Sequence, residues 1–335
     1  MTKPVSLALQ GGGSHGAYTW GVLEVLLESG LFEIKAASGT SAGALNAAAL
    51  VQGLEENPDC PDAQMAYLWS EIGRRSPLVP FDLGMMADTQ AFQPWLATLR
   101  LVGQFASPYL ASLNSGELLE AIIRSSIDFE ALEKSKVRLF VCATDVANGR
   151  ARIFQDLEID TRSLLASACL PDLFPAVKIE GRFYWDGGYS SNPPIRPLIN
   201  DADAPRDILI IQVTPFVRNG NPSTPLQIMN RASEITFNAS LLSALENFNN
   251  EFLQNRFSDK SASLGQSYTR LHMIPAHGAL STLPAESKLD TRPVHLEELR
   301  NLGKEAAKLW LEAGHHILFG KNSSIDIPKL LETKF

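Results

Sequence analysis

Residues 5–54 read VSLALQGGGSHGAYTWGVLEVLLESGLFEIKAASGTSAGALNAAALVQGL, and this stretch decides the fold class. Residues 5–10 are a short, mostly apolar run that stops at Gly11-Gly12-Gly13, the pattern of a buried strand bounded by glycines. Over 16–29 the apolar Tyr18, Val22, Val25, Leu26 and Leu27 recur at helical spacing, and Gly30 closes the segment. Residues 32–38 predict a second strand ending at Gly39, and the Ala- and Leu-rich stretch 42–54 predicts a buried helix. Strand, glycine-rich turn, helix, strand, sharp turn, helix is the alternation of a parallel sheet covered on both faces.

Further along, residues 138–145 predict a strand, and 150–155 a partner for it across the Asn148-Gly149 turn. A short helix over 161–169 ends before Pro171. Residues 182–185 form a strand that runs straight into Asp186-Gly187-Gly188. A buried strand over 207–213, a long helix over 225–257, a last strand over 270–274 and an amphipathic helix over 296–318 complete the chain. Residues 58–136 differ, because Pro58, Pro61, Pro77, Pro80, Pro94 and Pro108 interrupt regular structure. Within 77–113 only Asp82, Asp88 and Arg100 are charged, whereas Phe81, Met85, Met86, Phe92, Trp95, Phe105 and Tyr109 are bulky and apolar. This segment reads as a cap-like insertion, either an interfacial lid or a small apolar subcore. Helical periodicity returns at 117–127. With no repeats and no linker, the expectation is a single domain over 1–335, its core about 5–57 and 137–320 and its insertion about 58–136.

Of the 335 residues, 45% are hydrophobic and 20% charged, which is the composition of an ordinary globular domain. The net charge of −8 argues against nucleic-acid binding, which needs basic residues to displace phosphate counterions. It argues equally against a strongly basic membrane-docking face, while leaving transient apolar contact with a lipid surface open. Cys60, Cys142 and Cys169 are odd in number and follow no metal-ligand spacing, so reduced thiols and no metal are expected. The start Met1-Thr2-Lys3-Pro4 carries no apolar signal core and no stretch is long enough to span a bilayer, so the expected location is cytoplasmic.

Three segments carry chemistry. Gly39-Thr40-Ser41-Ala42-Gly43 is a G-x-S-x-G between strand and helix, the setting in which a serine takes a strained turn and presents its hydroxyl. The helix that follows supplies free N–H groups and a partial positive charge. Gly11-Gly12-Gly13-Ser14-His15-Gly16 exposes successive backbone amides in one concavity, suited to an anion. A dinucleotide site would want an acidic residue at the end of the second strand, where this chain has Gly39-Thr40-Ser41. An oxyanion hole formed by Gly11, Gly12 and Gly13 is therefore preferred. Asp186-Gly187-Gly188 is by itself an ordinary turn; it gains meaning because the serine needs a base, and a carboxylate at a strand end can reach the same sheet edge.

These motifs, in this order, resemble the bacterial patatin-like phospholipases. The similarity extends through Ala166-Ser167-Ala168-Cys169-Leu170-Pro171 and Phe174-Pro175, and covers the chain from Val5 to about Ile325. The resemblance implies a three-layer α/β/α sandwich with a mainly parallel sheet and hydrolysis of lipid acyl esters. It further implies a Ser–Asp dyad at Ser41 and Asp186, an oxyanion hole at the amides around Gly12 and Gly13, and no cofactor. One position departs: the family usually carries Arg or Lys where this chain has His15.

A histidine-dependent triad is disfavoured, because an α/β-hydrolase has several strands ahead of its serine and here two precede Ser41. Of the six histidines, His277 is the best substitute, His315 and His316 read as caps at a helix end, and His15, His272 and His295 complete the set. Phe174, Pro175, Pro194 and Ile195 flank the Asp segment and either line an acyl pocket or belong to the core. Expected partners are a lipid or acyl-ester substrate and, transiently, a membrane surface. Two other readings use the same residues: acyl transfer or thioester hydrolysis through the dyad, and a non-catalytic lipid-binding regulator.

Overall fold

The computed structural model describes residues 2–75, 115–218, 220–256, 268–276, 278–283 and 285–331. Strand β1 (Lys3–Leu9), helix α1 (Gly16–Glu28), strand β2 (Phe32–Thr40) and helix α2 (Ala42–Glu56) follow the alternation read from the sequence. After α3 (Ala63–Arg75), α4 (Ser115–Ser126) and α5 (Phe129–Lys134) come β3 (Arg138–Asp145), β4 (Ala151–Gln155) and α6 (Thr161–Ser167). Strands β5 (Val177–Ile179) and β6 (Arg182–Asp186) precede α7 (Arg196–Asn200), β7 (Asp207–Ile211), α8 (Pro225–Arg256), β8 (Arg270–Ile274) and α9 (Pro293–Glu312).

One sheet runs in the order β5-β6-β3-β2-β1-β7-β8, with β4 also paired to β3. Strands β3, β2, β1, β7 and β8 pair in parallel, whereas β4, β5 and β6 add antiparallel pairings at one side. Alternation along the central strands divides two cores. Leu7 and Leu9 of β1 and Leu209 and Ile211 of β7 face one core, packed against α1, α2, α3 and α9. Ala8 of β1 and Ile208 and Ile210 of β7 face the other, with Leu198 of α7 and Leu241 and Leu245 of α8. A period of two along a strand puts neighbouring side chains on opposite faces, so a sheet with helices on both sides needs two apolar sets. The chain is thus a three-layer α/β/α sandwich.

The flanks of the expected insertion belong to the first helical layer. Pro58 and Pro61 lie ahead of α3 rather than in it, so that helix forms, and its Met65, Leu68, Trp69 and Ile72 recur at three- and four-residue spacing into the first core. Ile122 and Ile123 of α4 join them. Residues 76–114, with the apolar stretch read as lid or subcore, lie outside the described residues. The C-terminal helix ends earlier than its periodicity suggests. Gly314 takes a left-handed φ of 76°, and His315 and His316 fall in the short turn beyond it. Among the described residues no helix is long and apolar enough to cross a membrane.

At the edge of the sheet where β7 begins, a buried polar cluster holds the chain end. Asp207 accepts from Arg270 Nη2 at 2.7 Å and Nε at 2.8 Å, lies 2.9 Å from His272 Nε2, and accepts from the Gly320 amide at 3.1 Å. His272 stacks on Phe319 at 3.7 Å and its Nδ1 is 3.1 Å from Ser324 Oγ. Against the cost of burial, these donors hold the Asp207 carboxyl well below its ordinary range. A depressed carboxylate stabilises the fold above its unfolded pKa of about 4 and loses that contribution as pH falls further. Asp207→Asn should therefore destabilise the protein by about 3 kcal/mol at neutral pH, measured by urea unfolding, with the deficit narrowing below pH 4.

Candidate active site

Ser41 stands between the end of β2 and the first turn of α2 with φ 56° and ψ −128°. A non-glycine residue is strained there, and such strain persists only where the surroundings enforce it. The enforcement is visible. Gly39 and Gly43 pass so close that a β-carbon on Gly39 would run into the backbone of Gly43 and Ala44. The Ser41 N–H donates to Ser167 Oγ at 2.9 Å, and that hydroxyl donates on to the Cys142 carbonyl at 2.6 Å. Ser41 makes no capping bond with its side chain, so its hydroxyl is not committed to the helix it precedes.

Asp186 arrives through strand register. Thr40, the last residue of β2, pairs with Cys142 of β3, and the next residue of β3, Ala143, pairs with Asp186 of β6. Strand β3 therefore sets Ser41 and Asp186 at neighbouring positions although they are remote in sequence. The backbone of Asp186 is clamped on both sides: its N–H donates to Cys169 O at 2.7 Å and its carbonyl accepts from Thr144 Oγ1 at 2.8 Å. Asp186 Oδ1 accepts from Gly188 N at 2.7 Å. Asp186 Oδ2 is buried and, among the described residues, has no hydrogen-bond partner. Burial pushes this carboxyl up to about 7, opposed by the Gly188 amide and by the nearby Ser41 hydroxyl. The hydroxyl is near enough to favour the charged carboxylate, yet no aligned hydrogen bond joins the two side chains, so the pair is adjacent and unlocked.

The glycine-rich turn closes over the same edge. A β-carbon on Gly11 would lie 2.7 Å from Ser41 Cβ, which places the turn against the serine. Gly13 takes a left-handed φ of 60°, and a short 3-10 turn leads into α1. Gly11, expected among the oxyanion donors, is already engaged: its N–H donates to Asn192 Oδ1 at 2.7 Å, while Asn192 Nδ2 donates to Gly11 O at 3.2 Å. That leaves the amides of Gly12 and Gly13 as the candidates. The turn is held from below by Gln10, whose Oε1 accepts from Val213 N and Thr214 N, both at 2.8 Å, and whose Nε2 donates to Asn238 Oδ1 at 3.0 Å.

Ser14 and His15 are engaged by residues 285–289. Ser14 Oγ donates to Ser287 O at 2.8 Å, and His15 Nε2 lies 2.7 Å from Ser287 Oγ. Burial, with Lys288 nearby, keeps the His15 imidazole neutral. Gly16 lies between Ala42 and Trp69, and Gly187 against Cys142 and Thr40. Gly188 lies under the Phe237 ring of α8. Of the residues read as pocket or core, Ile195 sits in the second core with Leu198 and Leu241; Phe174 and Pro194 are buried and Pro175 is exposed. Among the described residues no histidine is hydrogen-bonded to Ser41 or Asp186. His272 serves Asp207, His295 lies 3.7 Å from Glu298, and His277 lies outside the described residues. Sequence reasoning passed over Gln10, Ser167, Asn192 and Lys288. Only Ser167 stood inside a motif; the others are isolated polar residues whose partners come from distant segments.

With this geometry in view, comparison with known proteins gives the class. A family model of patatin-like phospholipases matches residues 7–199, and the chain belongs to that family. Among curated proteins, an uncharacterized protein, R571, of Acanthamoeba polyphaga mimivirus is 29% identical over 209 residues, covering 59% of this chain and 62% of the viral one. Among solved structures, VipD from Legionella pneumophila aligns over 93% of this chain and 67% of its own, with 15% identity and a TM-score of 0.39. ExoU from the type III secretion system of Pseudomonas aeruginosa, solved in complex with SpcU, aligns over 99% of this chain and 74% of its own, with 17% identity and a TM-score of 0.28.

The environment of Asp186 has a consequence for stability. A carboxyl raised in the fold binds a proton that the unfolded chain has already released, so stability falls as pH rises from about 4 to about 7. Asp186→Asn should stabilise the protein by roughly 2–4 kcal/mol at pH 8, and the gain should vanish near pH 4, as read by urea unfolding at the two pH values.

Proposed function

We propose that this protein hydrolyses lipid acyl esters through a covalent acyl-enzyme on Ser41, with Asp186 as its general base. Family membership supports lipid acyl hydrolysis as the activity. The observation that carries the mechanism is a dry carboxylate oxygen, Asp186 Oδ2, beside a serine hydroxyl that caps nothing. An ordinary aspartate is a weak base in water, at a pKa of about 3.9. Desolvated and titrating near 7, Asp186 accepts a proton readily at neutral pH.

The course follows. Ser41 Oγ attacks the ester carbonyl carbon and its proton passes to Asp186. The oxygen that becomes negative is held by the amides of Gly12 and Gly13, with the positive end of α2 below, each such donor being worth about 3 kcal/mol in the transition state. As the tetrahedral intermediate collapses, the C–O bond to the alcohol breaks and Asp186 returns the proton to the leaving oxygen. Water, deprotonated in turn by Asp186, attacks the acyl-enzyme, releases the fatty acid and restores Ser41.

A lipid acyl-ester substrate implies transient contact with a lipid surface. The free thiols Cys60, Cys142 and Cys169 support a reducing, cytoplasmic location. The same acyl-enzyme serves acyl transfer if an alcohol or thiol replaces water, and product analysis distinguishes the two.

With a short-chain 4-nitrophenyl ester, Ser41→Ala should abolish turnover. Asp186→Asn should lower kcat by about 10³-fold or more with KM little changed, and wild-type kcat/KM should rise through an inflection near pH 7. Hydrolysis unaffected by both substitutions would sink the dyad.

A further inference from the structure

The glycine turn contains no charge of its own, since His15 is buried and neutral. A cation nevertheless lies against it, supplied by residues 285–289. The backbone of this segment packs directly on the turn: a β-carbon on Gly13 would strike the Lys288 carbonyl, and Ser287 receives both Ser14 and His15. The Lys288 side chain is mostly buried, and its Nζ donates to Thr214 Oγ1 at 3.2 Å. A β-carbon on Gly12 would lie 3.7 Å from that same Thr214 oxygen. Lys288 thus spans the two glycines whose amides remain as oxyanion candidates.

Among the described side chains Glu234 of α8 is the carboxylate of this cluster, and three cations share it: Arg218 at 2.6 Å, Arg231 at 3.4 Å and Lys288 at 3.9 Å. The arginines lie closer to it than the lysine does. Among the described residues His15 at the start of α1 and His295 of α9 are also titratable neighbours, and a charge on either Lys288 or His295 would act on His15. A cation in a mostly dry site acts strongly on an anion formed nearby.

We propose that Lys288 is an electrostatic positioning residue for this reaction, holding the Gly12-Gly13 turn in shape and at positive potential so that the oxygen made negative beside Ser41 is stabilised. The inference rests on the reading of Ser41 as nucleophile and of this turn as the oxyanion site. Burial and Arg218 bring the Lys288 ammonium down to about 8, with Glu234 opposing them. The cation is therefore present at neutral pH and is lost as pH rises through that value.

The test is the pH dependence of kcat for a short-chain 4-nitrophenyl ester, followed at the phenol–phenolate isosbestic wavelength from pH 6 to 10, with circular dichroism at each pH. The wild type should lose activity through an inflection near pH 8 while remaining folded. Lys288→Arg should retain activity and shift that limb above pH 10. Lys288→Met should lower kcat roughly tenfold at pH 7.5, with KM within twofold, and abolish the limb. An alkaline limb unchanged in Lys288→Arg would overturn the inference, as would its absence from the folded wild type or a Met variant with wild-type kcat. The arginine variant decides the matter if the methionine variant does not fold. Should Ser41→Ala keep wild-type hydrolysis, the nucleophile assignment itself fails, which is a separate outcome.

Discussion

Strand β3 carries two partners in succession, and the site depends on that succession. Thr40 of β2 faces Cys142, and one residue on, Asp186 of β6 faces Ala143. Because β2 and β3 are parallel and β6 returns antiparallel, a strand end and a strand end meet at one edge of the sheet. Asp186 stands in the β3–β6 ladder itself, and Ser41 is one residue beyond the β2–β3 ladder. A slip of a single residue in β6 would turn the carboxylate to the opposite face, into the second core. The backbone bonds from Asp186 to Cys169 and Thr144 guard against that slip.

Two buried aspartates show how far surroundings decide what the same side chain does. Asp207, at the start of β7, is filled by a bidentate arginine, a histidine and a backbone amide, and is driven down. With a neighbouring histidine and serine it has the parts list of a catalytic triad, but its carboxylate is saturated and its cluster ties the chain end to the sheet. Asp186 has one amide on one oxygen and nothing on the other, and is driven up. Saturation makes a structural anchor. Deprivation suits Asp186 to the base role proposed for it, and the fold bears the cost in stability at neutral pH.

Much of this was legible in the residues. The first fifty show the strand–turn–helix alternation because both faces of the sheet are covered, which makes its strands short apolar runs and its turns glycine-rich. The candidate pair Ser41 and Asp186 was legible because backbone strain and close approach demand glycine at Gly39, Gly43 and Gly187, and glycines leave a trace in sequence. The supports were not. Asn192 replaces backbone pairing for Gly11, Gln10 reaches Val213 and Thr214, and Lys288 lies far along the chain; single polar residues with remote partners have no period or spacing to betray them. Helix α3 was hidden because Pro58 and Pro61, which precede it, suggested breakage. The last helix was overextended because amphipathic spacing continues past Gly314, where only the left-handed turn marks the end.

The central claim is that a desolvated Asp186 activates Ser41, and the rate at which a fluorophosphonate modifies Ser41 tests it most directly, since the reagent needs the nucleophile and no lipid specificity. Peptide mapping would locate the adduct, and the rate would be followed against pH in the wild type and in Asp186→Asn. Labelling confined to Ser41, with a rate that climbs through an inflection near 7 and collapses in the asparagine variant, is the outcome this account requires. Equal labelling rates in the two proteins across that range would contradict it.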